Sequence, residues 1–221
     1  DVLREDGPLA PREAARIFDS LAALPPNPTP TAPGSTARHR SWFLTHAATA
    51  WAAAGDTVRL ARLADAVEGS ARLSAYGRDW RLPHYLRGLL WNARGDRDRA
   101  LQELERSIWS PSDGYTRANV ELARAWLAAG RPRDAVSILQ AALRGPIEAS
   151  NFYVTRTEIH ELLARSFDAS GQPDSAAAHY GVVARSWHDG DTPFRQRAAA
   201  ADAARARLTK TTPPRRIDRP S

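Results

Sequence analysis

Histidine, carboxylate and arginine are the side chains whose spacing first suggests chemistry in this chain of 221 residues, which contains no cysteine. Disulfides and thiolate metal sites are therefore excluded. His160 and Glu161 begin like the helical zinc motif, which needs a second histidine four residues after the first. Ala164 stands there instead, and His84, His160, His179 and His188 are spread along the chain. The expectation is no metal site. No glycine-rich phosphate loop and no Gly-x-Ser-x-Gly turn occurs, so no catalytic residue and no cofactor is expected either. Asp96, Asp98, Glu103 and Glu105 interleave with arginines, the pattern of a solvated ion-pair face. Arg117 and Arg124 are seven residues apart and share one helix face. Arginines so placed could hold a carboxylate through paired, charge-assisted hydrogen bonds. The competing reading pairs Arg124 with Glu121, and Arg165 with Glu161 or Asp168, as ordinary surface ion pairs three or four residues apart.

The elements that must position these groups are helices. Alanine, leucine and arginine dominate, β-branched residues are sparse, and hydrophobic residues make up 43% of the chain. That composition permits a packed core and favours helix over sheet. No apolar run approaches the ~20 residues that span a bilayer. The net charge of +6 is unevenly placed. From Arg205 onward six positive residues face one negative residue, so the preceding 204 residues carry +1. A near-neutral body with a basic tail lacks the clustered basic face that phosphate binding requires, and no direct nucleic-acid binding is expected from the body.

An aromatic residue precedes a glycine by four positions four times: Trp51 and Gly55, Trp91 and Gly95, Trp126 and Gly130, Phe167 and Gly171. The glycines are 40, 35 and 41 residues apart, which is the signature of an internal repeat with loop insertions. Each aromatic falls on the last turn of a helix, and each glycine supplies the left-handed conformation that ends it. A second helix follows, opened by Pro132 or Pro173 in two units. A small residue comes next (Ala100, Ala135, Ala176), then Leu104, Leu139 or Tyr180 four residues on. Trp51, Trp91 and Trp126 are thereby explained by packing. Trp42, Trp80, Trp109 and Trp187 are not.

This pattern resembles the tetratricopeptide repeat. Gly88-Trp91-Gly95-Ala100-Leu104, Ala123-Trp126-Gly130-Ala135-Leu139 and Ala164-Phe167-Gly171-Ala176-Tyr180 match its marks. The unit at Ala48-Trp51-Gly55 carries Leu60 where alanine is expected. The resemblance covers roughly Ser41 to His188 and implies an all-α fold, a right-handed superhelical stack of antiparallel helix pairs (an α-solenoid). Residues 1–24 are expected to be the second helix of a truncated upstream repeat, with Pro11-Arg-Glu-Ala14 spaced like Pro132-Arg-Asp-Ala135. Residues 25–36 are expected to be a proline-rich connector, 37–190 about four helix pairs, 191–208 a capping helix, and 209–221 a disordered basic tail. Thr155 and Glu158 fit a capping box.

The family uses the face of its first helices as a concave groove for a peptide or helix. Carried onto this chain, Tyr85, Asn92, Arg117, Arg124 and Arg165 become the candidate groove, suited to a peptide with an acidic group. Asn151 to Phe167 and Asp174 to Tyr180 also resemble the C-terminal repeat arms of large bacterial regulators with a transcriptional-activator or Ser/Thr kinase domain. The implied function is a non-enzymatic protein-interaction scaffold in the C-terminal part of a larger, cytoplasmic regulator. The alternatives are the repeat arm of an enzyme, a self-associating scaffold, and a periplasmic part of a membrane-anchored parent.

Overall fold

A computed structural model describes residues 10–24, 33–145 and 154–211. Among these residues there are ten α-helices, one 3₁₀ turn and no strand. The helices are α1 (Pro11–Ala23), α2 (Pro33–Ala53), α3 (Thr57–Ala71), α4 (Leu82–Ala93), α5 (Arg97–Ser107), α6 (Thr116–Ala128), α7 (Pro132–Arg144), α8 (Arg156–Ala169), α9 (Pro173–Ser186) and α10 (Thr192–Thr211). The 3₁₀ turn, Gly77–Arg81, leads into α4. Every helix packs against the next one in the chain, and α2 touches α4 as α6 touches α8. No helix among the described residues is long and apolar enough to cross a membrane.

The four aromatic–glycine stops have one geometry. Gly55, Gly95, Gly130 and Gly171 have φ between 72° and 81°, the left-handed region. The backbone N–H after each glycine donates to the carbonyl of the aromatic five residues earlier. These bonds are Asp56 to Trp51 (3.0 Å), Asp96 to Trp91 (3.0 Å), Arg131 to Trp126 (2.8 Å) and Gln172 to Phe167 (2.9 Å). This closure satisfies a carbonyl that the helix end would leave unpaired. The next helix starts immediately. The Asp56 and Asp96 carboxylates cap α3 and α5 by accepting from Arg59 N and Arg99 N. In the other two turns a proline in the first turn, Pro132 or Pro173, serves the start instead. Arg59, Arg99 and Arg131 then lie over the rings of Trp51, Trp91 and Trp126 at 4.1, 4.8 and 5.3 Å.

The small residues of the pattern sit where paired helices touch. Ala100, Ala135 and Ala176 are buried with Leu104, Leu139 and Tyr180. A Cβ on Gly88 would come within 2.6 Å of Leu104 Cγ, so α4 and α5 approach through the missing side chain. One core cluster runs from Leu44 to Leu208. A smaller one joins Ala14 and Ala15 to Ala50 and Trp51.

That second cluster shows where the segment expected to be the second helix of a truncated upstream repeat packs. α1 docks on α2, with the Phe18 ring stacked on His46 at 4.8 Å and Trp51 Nε1 donating to Asp19 Oδ2 at 3.0 Å. Two boundaries also move. α2 opens at Pro33, inside the stretch expected to be connector, because proline is tolerated at a first helical position. α10 runs to Thr211, three residues past its expected end. The remainder of the connector, the loop after Gly145 up to Tyr153, and residues 212–221 lie outside the described residues.

Candidate interaction surface

The five groove candidates do not share one environment. Asn92 and Arg165 are exposed. Tyr85 is buried, its hydroxyl 3.4 Å from Thr49 Oγ1, because α2 and α4 touch along the face expected to be open. Arg117 is 0% exposed. Its guanidinium meets Glu158 Oε1 at 3.4 Å and Glu121 Oε1 at 3.7 Å. Glu158 is itself the capping residue of α8: its carboxylate accepts from Thr155 N at 2.9 Å while Thr155 Oγ1 accepts from Glu158 N at 3.1 Å. The expected capping box is present, and it aims its carboxylate at a buried arginine on α6. Tyr85 and Arg117 therefore join helices rather than lining an open surface, a correction to the placement that helical spacing alone suggests.

Arg124 is half-exposed and held by Glu121 at 3.0 Å, the ion pair that the helical spacing offered. The corresponding pairs for Arg165 do not form. Glu161 is taken by Arg197 of α10 at 2.5 Å, and Asp168 by Arg207 of α10 at 2.5 Å. Arg165 has no ion-pair partner among the described residues. Helix α10 thus neutralises the two carboxylates that flank Arg165, and the exposed remainder of the candidate groove is Asn92, Arg165 and one edge of Arg124.

Two arrangements went unseen in the sequence. His160 and His179 meet across α8 and α9, Nδ1 to Nδ1 at 2.7 Å, and the Phe167 ring stacks on His179 at 5.4 Å. Both rings are held below the usual histidine range. Burial acts first on each, followed by Arg156 for His160 and by His160 itself for His179. His84 on α4 meets Glu103 on α5 at 2.7 Å with the same separation of 19 residues. That shared register about the glycine turn was available as a signal. No group of three or more metal-ligating side chains forms among the described residues.

The second arrangement is in the connectors between pairs. Asp79 in the 3₁₀ turn is 1% exposed. Its carboxylate accepts from Ser74 Oγ at 2.5 Å and from the Tyr115 hydroxyl at the start of α6. Burial pushes the Tyr115 phenol well above its ordinary range, and the Asp79 charge adds to the effect. Arg78 lies over the rings of Tyr76 and Tyr115 at 5.7 and 5.1 Å, and Arg38 of α2 lies over Tyr76 at 3.6 Å. Asn119 Nδ2 donates to Pro111 O at 2.7 Å and fastens the α5–α6 connector. This support presents Trp80 and Trp109 to solvent, 56% and 50% exposed. By contrast Trp187 is buried beneath Arg197, and Trp42 packs edge-on against His46.

Compared with protein families, with curated proteins and with solved structures, the chain matches none.

Proposed function

We propose that this chain is a protein-interaction module of tetratricopeptide type, serving as the binding arm of a bacterial signalling or transcriptional regulator. The observation that carries the reading is the fourfold recurrence of one helix stop. Each has an aromatic carbonyl bonded across a left-handed glycine, with the next helix starting at once. Such a unit cannot bury its apolar stripe alone, so units stack and leave an extended surface, which is what a binding arm needs. Recognition by the first helices would rest on Asn92, Arg165 and Arg124, with Tyr85 and Arg117 holding those helices together.

Affinity capture with the immobilised chain tests this reading. It expects a stoichiometric protein partner from the parent organism's lysate. Asn92→Ala combined with Arg165→Ala should weaken capture by about 2 kcal/mol or more if the first helices are the site, without altering helix content. A chain that captures no protein would defeat the module reading. Unchanged capture by the double variant would remove the first-helix face.

A further inference from the structure

The repeat pattern leaves Trp80 and Trp109 unexplained, and both prove to be exposed. Trp109 reaches across from the α5–α6 connector and lies on Gly77, whose Cβ position is 3.0 Å from the end of the indole. Gly77 and Trp80 are three residues apart in a 3₁₀ turn, so they share one face. The two indoles therefore occupy the same side of that turn. Tyr76, exposed and next to Gly77 in the chain, adds a third aromatic ring. An exposed aromatic cluster on a rigid support is unusual in a monomeric surface and marks a contact site. The support is rigid here because Asp79 is buried and bonded to Ser74 and Tyr115.

Charge then selects the partner. Elsewhere in the chain arginines meet carboxylates, as Arg124, Arg197 and Arg207 do. Beside this patch Arg72 and Arg87 share Glu68, and three further arginines meet no carboxylate. Arg38 and Arg78 lie on tyrosine rings, and Arg81 donates to the carbonyl of Arg106 at 3.3 Å. None of the three has a carboxylate partner among the described residues. The nearby carboxylates are engaged: Glu68 by Arg72 and Arg87, Glu103 by His84 and Arg106, and Asp79 by its buried hydroxyls. Asp113, exposed on the second connector, is the acidic exception. The patch is thus aromatic at its centre and cationic at its rim.

We propose that this connector edge docks an acidic segment of a partner protein, one whose carboxylates flank apolar or aromatic side chains. The aromatic anchors would fill against Trp80 and Trp109, and the carboxylates would reach Arg38 and Arg81. The proposal rests on the reading of the chain as an interaction module, and it places the contact away from the first-helix face.

Fluorescence anisotropy with labelled polymers tests it on the whole chain. The probes are a glutamate-rich glutamate–tyrosine copolymer, polyglutamate, a lysine–tyrosine copolymer and oligothymidylate. The glutamate–tyrosine copolymer should bind at least about tenfold more tightly than polyglutamate, and the lysine copolymer should not bind. Trp80→Ala with Trp109→Ala should weaken binding by about tenfold or more with helix content unchanged. Arg38→Gln should flatten its salt dependence. Failure of the copolymer to bind, or binding indifferent to the tryptophan variant, overturns the proposal. Tighter binding of oligothymidylate overturns it in favour of a nucleic-acid surface. If partner capture is lost in the Asn92→Ala/Arg165→Ala variant and kept in the tryptophan variant, this edge fails while the module reading stands.

Discussion

The joints inside a helix pair and the joints between pairs are built on different principles. Inside a pair the chain reverses through three residues, and the same backbone closure recurs at Gly55, Gly95, Gly130 and Gly171. Between pairs each solution is singular. Thr49 meets Tyr85, Asp79 meets Tyr115, Arg117 meets Glu158, and Glu161 meets Arg197. The first kind of joint is a local backbone requirement that glycine meets wherever it is placed. The second kind is a set of buried polar contacts that depend on two distant segments arriving together. One shared turn therefore builds each helix pair, and the connectors give each junction between pairs its identity.

The sharpest way to break this contrast is at the junction held by the buried Asp79 carboxylate. Asp79→Ala should destabilise the chain by about 3 kcal/mol, since it removes the buried acceptor of both the Ser74 and the Tyr115 hydroxyl. Tyr115→Phe should cost less, about 1–2 kcal/mol, because the carboxylate keeps its Ser74 bond. Urea unfolding followed by far-UV circular dichroism measures both. A loss at Asp79 no larger than at an exposed carboxylate would mean that the connectors do not hold the pairs.

The glycine turns permit a cleaner comparison. A methyl group added at Gly130 or at Gly69 would meet nothing within 4 Å, and the two positions differ in backbone: Gly130 has φ +72° while Gly69 is inside α3. Gly130→Ala should destabilise by about 1–2 kcal/mol through left-handed strain alone. Gly69→Ala should stabilise by about 0.5–1 kcal/mol, because alanine loses less backbone freedom in a helix. Thermal denaturation of the two variants should therefore shift in opposite directions. Shifts of the same sign would remove the backbone argument for the turns.

These cases also show what the sequence made legible. The four stops could be read because aromatic, glycine and the following small residue lie within one short window and obey a backbone rule. The Thr155–Glu158 capping box was legible for the same reason. The groove was less so. Placing Tyr85 and Arg117 needed knowledge of which first-helix face meets the neighbouring first helix, and a spacing within one helix does not contain that. Asp79 and Tyr115 are 36 residues apart in the connectors between helix pairs, and no local pattern links them. The histidine pair is an intermediate case. His160 and His179 stand in the same register about Gly171 as His84 and Glu103 do about Gly95, so aligning the two units would have brought them together.

That pair gives the contrast a pH dependence. Two neutral imidazoles can share one N–H between facing Nδ1 atoms, whereas two protonated rings would set N–H against N–H at 2.7 Å. Arg156 adds positive charge on the same helix, and from α10 Arg197 and Arg207 are already spent on Glu161 and Asp168. Both folded-state values lie below the unfolded value near 6.5. The unfolded chain then binds more protons, so stability is fully present above that pH and falls as pH drops through it. His179→Gln should remove much of this slope and leave the turn at Gly171 intact. Urea midpoints measured between about pH 7 and 5 test it, and a slope unchanged in the variant would assign the dependence to other groups.

The smallest effect is expected where the candidate groove is open. Arg124 is half-exposed beside Glu121, and an exposed pair at helical spacing contributes about 0.3–0.5 kcal/mol. Arg165 has no ion-pair partner among the described residues, since Arg197 and Arg207 hold the carboxylates on either side. Arg124→Ala with Arg165→Ala should therefore change stability by under about 1 kcal/mol. Arg117→Ala, on the same helix as Arg124 and one face-repeat away, should cost about 3 kcal/mol or more, because it leaves Glu158 charged and buried. The ratio between the two measures how far a junction between pairs differs from the surface beside it. If Arg124 and Arg165 together cost as much as Arg117, the open face would be part of the junction, and a partner could not use it without loosening the contact between α6 and α8.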